Sequence, residues 1–527
     1  MRNKILAIIL FSLLILGCDE QATNMMPDEL IEQVDTEPPI ITISGLESPI
    51  ETITTLNVTI QDESDKVSTS VLINEQEVST SNEKSFSFEV NPFDYMTGEN
   101  TIEITSNDEE GNEVVINQTF DVKKLLVSIS APSFSSSQRI FFSVNTMTGN
   151  LLAFKEVMQS LENIKLYADD DFVPQQLVVT SYDLQPNATR KASLDSYANI
   201  KPGTDLTILQ EVGGVITANT FDDRPTIVPL TLDITGIDTI KLANSLWTIG
   251  NGFVSSSNPF EEFGVLNSRL QFNSKNQVIE NAIVYTSNLS ALTNEDKIEV
   301  DDYKYLFLEE PSNSAISFSE FKTPPNTEVI DIPASVTSHS LRILGFRDQE
   351  AYRNNQYRFL YDTKYEESLN SFVEIPVIDE FEVLRNDIVM QLNSRKRYVA
   401  STLGIKNISD VPDWDATLTD ETIQMTGEFD KFTILIITLN NPDAELLWEY
   451  TAKPIENFHL PFESFEFPDE FVIYSEAQNL NLSSLNSNTT NRITFFDASE
   501  QLAYEELLFN IFTNNRLGDV YELSVNL

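Results

Sequence analysis

Thr54-Thr55-Leu56-Asn57-Val58-Thr59-Ile60 sets apolar and polar side chains on alternate positions, and Ser85-Phe86-Ser87-Phe88-Glu89-Val90 repeats the pattern further along. A period of two is the mark of a strand with one face buried and the other in water. Outward from these runs, Ile40-Ile41-Thr42-Ile43 lies just behind Pro38-Pro39, and Val71-Leu72-Ile73 falls between the two alternating segments. Thr101-Ile102-Glu103-Ile104 and Val114 to Val122 follow, with Glu110-Gly111-Asn112 between them. Gly and Asn accept the positive φ that a tight hairpin requires, so this triplet marks a turn. Strands this short, gathered in one stretch, predict a small β-sandwich over residues 37–124.

The same texture continues beyond it. Leu125 to Ile129, Ile140 to Val144, Gln176 to Val179 and Ile227 to Ile234 read as strands, punctuated by Pro202-Gly203 and Pro324-Pro325. Thr148-Gly149-Asn150, ahead of Leu151-Leu152-Ala153-Phe154, reads as a hairpin turn. Pro229 has no N–H to give to a ladder, which predicts an edge position for its strand. Further on, Phe432 to Leu439, Leu446 to Tyr450, Phe471 to Tyr474 and the alternating Tyr521, Leu523, Val525 and Leu527 read as strands. Within Ser499 to Phe512, the apolar residues Leu502, Leu507, Leu508, Ile511 and Phe512 suit a short helix laid on a sheet. The expected fold class is therefore all-β: tandem immunoglobulin-like β-sandwich domains at 37–124, 125–221 and 222–332, then a β-rich C-terminal domain, 333–527, with a few short helices.

The first residues have a different character. Met1-Arg2-Asn3-Lys4 is a short positive segment, and Ile5 to Leu16 is apolar except for Ser12. A bilayer span needs about 20 such residues, so this run has the size of a signal-peptide apolar region instead. It ends in Ile15-Leu16-Gly17-Cys18, and Cys18 is the only cysteine of the chain. These four residues resemble the lipobox of bacterial lipoproteins. That resemblance implies removal of 1–17 by cleavage after Gly17, acylation of the Cys18 thiol, and attachment to a membrane through the lipid. Residues 18–36 then read as a polar, acidic tether. Asp19 and Glu20, directly behind the cysteine, resemble the export signal of Bacteroidota lipoproteins, which implies a surface-exposed place on the outer membrane. In other Gram-negative lipoproteins an aspartate next to the cysteine instead implies retention at the inner membrane, and a further alternative is that these acids only keep the tether hydrated.

Two further resemblances concern the body. Asp35-Thr36-Glu37-Pro38-Pro39 at the entry, and Asn100-Thr101-Ile102 ahead of Asn107-Asp108-Glu109-Glu110-Gly111-Asn112, resemble the bacterial immunoglobulin-like and cadherin-like modules of surface proteins. The likeness covers Asp35 to about Lys124, lacks the Cys and Trp of antibody domains, and implies a spacer or adhesion role. Ile140 to Val157 is similar to uncharacterised Bacteroidota lipoproteins, a likeness that implies no function.

Charge narrows the partners. With 82 Asp and Glu against 33 Lys and Arg, the 527-residue chain carries a formal net charge of −49. Such a surface repels phosphate backbones and anionic headgroups, which excludes sequence-independent nucleic-acid binding. At 41% hydrophobic residues, with 33 Phe and 16 Tyr, the chain can bury a core, unlike a disordered acidic chain.

Motifs for chemistry are sparse. His339 and His459 are the two histidines, and neither sits in a metal-binding or triad pattern. Glycine is scarce at 16 residues, and no phosphate-cradling loop or dinucleotide fingerprint occurs. No cofactor and no metal is expected. Acidic loops at Asp62-Glu63-Ser64-Asp65, Asn107 to Glu110 and Asp169-Asp170-Asp171 have oxygen ligands of the kind calcium takes, but their spacing fits solvated loops better. Arg342, Arg347, Arg353, Arg358 and Lys364 interleave with Tyr352, Tyr357, Tyr361 and Tyr365, and Arg395-Lys396-Arg397-Tyr398 is a second basic cluster. Tyrosine faces stack on sugar rings and guanidinium groups fork onto anions, which makes Tyr352 and Arg353 candidate ligand-binding residues. The opposing reading buries Tyr357, Phe359 and Tyr361 on one strand face. Trp414, between Pro412-Asp413 and Asp415, is the tryptophan expected to be exposed, and joins the candidates. The function expected is a lipid-anchored cell-envelope protein with a non-catalytic binding, adhesion or structural role, whose partner is a polysaccharide or a surface protein. The alternative is a glycan-binding or polysaccharide-degrading component of a carbohydrate-uptake system.

With Cys18 alone there is no pair to oxidise, so every domain must be held by its own core. The melting temperature of monomeric protein is expected to be the same with and without reductant. A reductant-dependent shift in thermal unfolding would contradict this.

Overall fold

The computed structural model describes residues 35–130, 138–160, 162–185, 191–206, 228–237, 246–249, 254–262, 265–274, 282–287, 303–308, 314–353, 357–362, 366–367, 372–408, 411–419, 422–441, 445–459, 464–480, 492–498, 503–512 and 519–526. Gly17 and Cys18 lie outside them. The described residues form two compact units, the first made of 35–47, Thr54–Val90 and Glu99–Phe120, the second of Ser48–Ile53, Asn91–Gly98 and the chain from Asp121 onward.

The first unit is a sandwich of a three-stranded and a four-stranded sheet, all antiparallel. Thr54–Gln61 is the middle strand of the smaller sheet, between Ile40–Ser44 and Ser85–Val90. The alternation read from its sequence appears as burial: Leu56, Val58 and Ile60 are inside while Thr55, Asn57 and Thr59 face water. Val67–Ile73 and Gly98–Asp108 turn Val71, Ile73, Ile102 and Ile104 inward from the other sheet. Each such side chain, once buried, contributes about 1.5–3 kcal/mol relative to exposure. Gly111, at φ +88°, makes the turn into Glu113–Val122 as the sequence predicts.

The second unit is organised by a 13-stranded sheet. Leu151–Glu156, Arg139–Thr146, Leu177–Leu184 and Ala192–Ile200 form one flank in that order. Leu446–Ala452, Ile434–Asn441, Arg492–Ala498, Val520–Asn526, Lys396–Leu403, Val383–Gln391, Ser338–Phe346 and Tyr357–Asp362 continue it, and the thirteenth strand, Glu366–Glu367, pairs with Ser338–Phe346 off this path. The join between the two groups is parallel, Ala192 to Tyr197 against Leu446 to Thr451. Across that join Trp448 Nε1 donates to Ser196 Oγ at 2.9 Å, both buried. Long-range pairing thus brings residues read as separate segments of the sequence into one sheet.

Both faces of this sheet are covered, so neighbouring residues enter different cores. Phe141, Val178, Leu435 and Phe495 belong to one cluster, and Phe142, Val179, Ile436 and Phe496 to the other. That explains why these strands read as continuous apolar runs and not as alternating ones. The second core is closed by the helix Tyr504–Phe512, whose Tyr504, Leu507 and Leu508 are buried in it. This is the helix expected near the C-terminus. The first core is closed by the helix Asp469–Ala477 through Phe471 and Tyr474. Phe471 to Tyr474, expected as a strand, is therefore helical. Pro468 ahead of it and Asp469 and Glu470 in the first turn are helix-start features that outweigh a four-residue aromatic pattern.

Val228–Ile237 also differs from expectation. It is flanked on both sides, by Val265–Ser274 and by Ser314–Ser317. Among the described residues Pro229 pairs with Asn273, and the parallel ladder to Ser314–Ser317 starts at Leu232.

The Arg139–Thr146 and Leu151–Glu156 strands form the predicted hairpin, with Gly149 at φ +101° in its turn. A Cβ on Gly149 would lie 2.6 Å from the Ser464 carbonyl oxygen. The turn is locked there, because Glu466 N–H donates to the Gly149 carbonyl and Asn145 Nδ2 donates to that of Glu466. Gly149→Ala is expected to destabilise the protein by about 1–3 kcal/mol through strain and displacement of this contact. A denaturation midpoint equal to that of the wild type would sink this account of the turn.

Candidate functional site

The candidate residues do not converge. Trp414 is 2% exposed and its ring meets that of Phe495 at 4.1 Å, tilted by 58°, so it is a core residue and offers no face to a ligand. Its flanking Pro and Asp residues suggested exposure, but its strand, Trp414–Thr419, pairs with Thr422–Gly427 and turns Trp414, Ala416, Ile423 and Met425 onto the main sheet. Tyr352 is 9% exposed and meets Phe346 edge-on at 5.1 Å, in a separate small cluster with Leu344 and Val383. Arg353, next to it at the end of the short helix Gln349–Arg353, is exposed. The aromatic stripe follows the opposing reading in part: Tyr361 is buried in the main core beside Leu360, whereas Tyr357 and Phe359 are half-buried and pack on the separate Phe346 cluster. Lys364 and Tyr365 lie outside the described residues.

The acidic loops are mostly engaged with the protein itself. Asp170 Oδ1 accepts from Thr97 N–H at 2.8 Å, and Asp62 Oδ1 accepts from Ser64 N–H at 2.8 Å. Asp35, Asp108 and Glu110 bring three carboxylate oxygens within 4.8 Å of one another, a set that could hold a divalent cation. Asp108 is already occupied, accepting from the backbone and side chain of Asn112 at 2.8 and 2.6 Å. Burial disfavours its charged form, yet these bonds and the N–H groups of Gly111 and Glu110 hold its carboxyl below the usual carboxylate range.

A cavity of about 310 Å³ opens beside the middle of the long sheet, near the lower end of the ~300–1,000 Å³ typical of ligand sites. Tyr398 and Thr402 project into it from Lys396–Leu403, Tyr521 from Val520–Asn526 and Asp497 from Arg492–Ala498. Period two places these residues on one sheet face, and antiparallel register makes Tyr398 and Tyr521 diagonal neighbours. Their rings lie 6.4 Å apart and within 9° of parallel. Ile408, Pro412 and Phe432 add apolar surface, and Lys406, Asn407 and Lys431 polar tips.

Each cation here has a counter-charge. Lys406 Nζ donates to Asp519 at 2.5 Å and Lys431 lies 2.5 Å from Glu428. Asp497 accepts from Thr433 Oγ1 at 2.7 Å. Burial, with Asp519 and Asp497 nearby, pushes the Tyr521 hydroxyl above the ordinary phenol range, so it stays a neutral donor and acceptor at all physiological pH. Tyr398 is flagged in the sequence by its basic neighbours and Tyr521 by its alternating strand. Lys406 comes from a loop, Lys431 from the end of the short 3-10 helix Phe429–Lys431 and Asp497 from a strand end, none with a local signal.

Of the histidines, His459 is exposed, with Nδ1 3.3 Å from Thr422 Oγ1. His339 is 4% exposed and lies on the core side with Leu341 and Ile343, its Nδ1 buried without a hydrogen-bond partner.

No protein-family model matches the chain, and no curated protein matches it. Among solved structures it is similar to the fibronectin(III)-like modules of Clostridium thermocellum CbhA, at 10% identity over 32% of this chain and 94% of that one, with a TM-score of 0.16. It is similar to SGBP-B of the Bacteroides ovatus mixed-linkage glucan utilization locus, solved with a mixed-linkage heptasaccharide, at 10% identity over 65% and 93%, TM-score 0.13. A Ca2+-stabilised, ice-binding adhesin of an Antarctic bacterium gives 8% identity over 71% and 100%, TM-score 0.15. At these TM-scores none of the three bears on what this chain binds.

Burial holds the His339 imidazole below its ordinary pKa, because charging it would strand a cation in the core. Its contribution to stability is whole above the unfolded value of about 6.5 and is lost as pH falls through the folded value. Denaturation midpoints at pH 7.5 and pH 5 should fall less in His339→Phe than in the wild type. Equal falls in both would refute the assignment.

Proposed function

We propose that the protein is a lipid-anchored component of the bacterial cell surface with a non-catalytic binding or adhesion role. The observation that carries this reading is the placement of the chain's one cysteine, Cys18, directly behind the apolar run Ile5 to Leu16 and the small residue Gly17. The thiol is the nucleophile that acylation requires, and nothing else in the chain competes for it. With one cysteine the body has no disulfide to rely on, and a net charge of −49 would keep an exposed surface hydrated and dispersed. Among the described residues no helix is long and apolar enough to cross a membrane.

The reading as a polysaccharide-degrading enzyme has less support. Hydrolysis by paired carboxylates needs two of them flanking one bond, about 5–9.5 Å apart. The cavity is lined by one carboxylate, Asp497, and the tryptophan that would have marked a sugar cleft, Trp414, is buried.

Cys18→Ser is expected to move the protein from the membrane fraction to the soluble fraction and to abolish incorporation of labelled fatty acid. Unchanged partitioning with the acyl label retained elsewhere would overturn the lipoprotein reading.

A further inference from the structure

On the face of the long sheet opposite to Tyr398 and Tyr521, two arginines carry guanidinium groups that the protein itself leaves unanswered. Arg492 stands directly opposite Asn526, and Arg397 stands opposite Ser524 on the strand at the other side of Val520–Asn526. Directly opposed side chains share a face ~4.5–5.5 Å apart and diagonal ones lie ~7–8 Å apart, so the two arginines flank Asn526. Asn526 is exposed and its backbone is fixed, since Arg395 Nε donates to its carbonyl at 3.0 Å. We infer that Arg397, Arg492 and Asn526 form a binding site for a tetrahedral oxyanion, a sulfate or phosphate group. This gives the proposed binding role a ligand chemistry and rests on that role.

A half-buried charge calls for a partner, and none is supplied here. Arg397 and Arg492 are both half-buried, and the Nε of each is buried without a hydrogen-bond partner. Among the described residues neither guanidinium enters an ion pair. The groups directly opposite or next to them on the adjoining strands are uncharged: Gln391 beside Arg397, Thr438 beside Arg492, and Thr494 and Ser524 between. Glu522, the other diagonal neighbour of Arg397, accepts from Ser524 Oγ at 2.9 Å, and Glu449, beyond Thr438, accepts from its Oγ1 at 3.4 Å. On a chain with 82 acids against 33 Lys and Arg, two arginines with only hydroxyls and amides between them stand out from the surrounding charge. Buried donors are rarely left unmatched, and an unpaired cation is costlier than an unpaired neutral donor.

The donor set selects the shape of the ligand. A guanidinium presents a planar fork that matches two oxygens of one anion. Neither side chain is pinned by a partner, so each can turn its fork toward an anion seated over Asn526. Forks arriving from strands on opposite sides, with the Asn526 amide beneath, offer donors in more than one plane. A carboxylate holds both oxygens in one plane and is satisfied by one fork, whereas sulfate and phosphate groups spread their oxygens over a tetrahedron and engage both. A neutral sugar or an apolar side chain would leave the two positive charges uncompensated. Sheet register fixes the backbone spacing of the three residues, so the site does not depend on a loop for its frame.

The test is equilibrium dialysis of the full chain in detergent against radiolabelled inorganic sulfate and inorganic phosphate, at constant ionic strength set with sodium chloride. At least one label is expected to bind saturably and stoichiometrically, with a Kd at or below ~1 mM. Arg397→Gln and Arg492→Gln should each weaken that binding at least tenfold and Asn526→Ala several-fold, while Lys66→Gln, in the first unit, should leave it unchanged. Because neither arginine has a partner to lose, both variants should melt as the wild type does in chloride, and the anion should raise the melting temperature of the wild type by more than that of either variant. A sulfated galactan oligosaccharide that displaces the label more tightly than inorganic sulfate places the group on a saccharide; displacement no better than inorganic sulfate makes the ligand the free ion. The site is refuted if neither label binds saturably, if acetate displaces the label as well as sulfate does, or if the arginine variants bind as the wild type does. Variants that melt below the wild type in chloride would give the arginines a part in holding the sheet, and would equally overturn it. Membrane partitioning of the same samples keeps the two readings apart: a chain that partitions through Cys18 but binds neither label retains its anchor and loses this ligand.

Discussion

The parallel ladder between Ala192–Tyr197 and Leu446–Thr451 is the constraint on which the second unit depends. Every other pairing in the long sheet is antiparallel, and strands on either side of the join are otherwise connected only to their own neighbours. Parallel pairs need long crossovers and are slightly weaker per residue, so the join draws on more than its ladder. Trp448 supplies the addition, giving its indole N–H to Ser196 and packing its ring against Phe465 and Phe467. Asn199 Oδ1 accepts from Lys453 N–H at 2.9 Å, and Tyr504 donates to the Ala198 carbonyl from the helix that closes the second core. The join is thus fastened from both faces of the sheet.

That continuity is what gives the cavity a rigid floor. Tyr398, Tyr521 and Asp497 sit on three adjacent strands in the middle of the sheet, and on the reverse face the same strands carry Thr494, Ser524 and Glu522, linked by hydrogen bonds of 3.0 and 2.9 Å. A site built on interior strands keeps its side chains in register without help from the loops that wall it. The loops then carry the polar tips, Lys406 and Lys431, each steadied by its own carboxylate. The exposed Lys431–Glu428 pair contributes little to stability, whereas Asp519 is buried and also accepts from Leu403 N–H. The consequence of both pairs here is to cancel charge, so that a nominally basic rim carries no surplus of positive charge.

What could be read from the sequence follows how far each interaction reaches along the chain. Period two at Thr54–Ile60 and Ser85–Val90, the Gly111 and Gly149 turns, the Val520–Asn526 strand and the helix around Leu507 are local, and all are visible in the residues themselves. Phe471–Tyr474 misled because four aromatic-rich residues fit either period, and the deciding features, Pro468 with two acids behind it, lie outside the window. Trp414 misled for a different reason: flanking Pro and Asp describe the loop it leaves, whereas its burial against Phe495 comes from a strand some eighty residues later. The cavity was legible only in fragments, since nothing near Lys406 announces Asp519 or Tyr521 as neighbours. No periodicity encodes the meeting of residues 192 and 446.

The separation across that meeting point has a bearing on biosynthesis. Ser196 and Trp448 are 252 residues apart in the chain, so the edge of Ala192–Ile200 stays open until nearly the whole polypeptide has emerged. Closing so large a loop adds little to the equilibrium cost, which grows only logarithmically with length, but it delays the event. During that interval an unpaired strand with buried-type side chains is exposed to other nascent copies. The heavy negative charge distributed along the chain then acts on the unfinished molecule as well as the finished one, holding neighbouring copies apart until the last strands arrive.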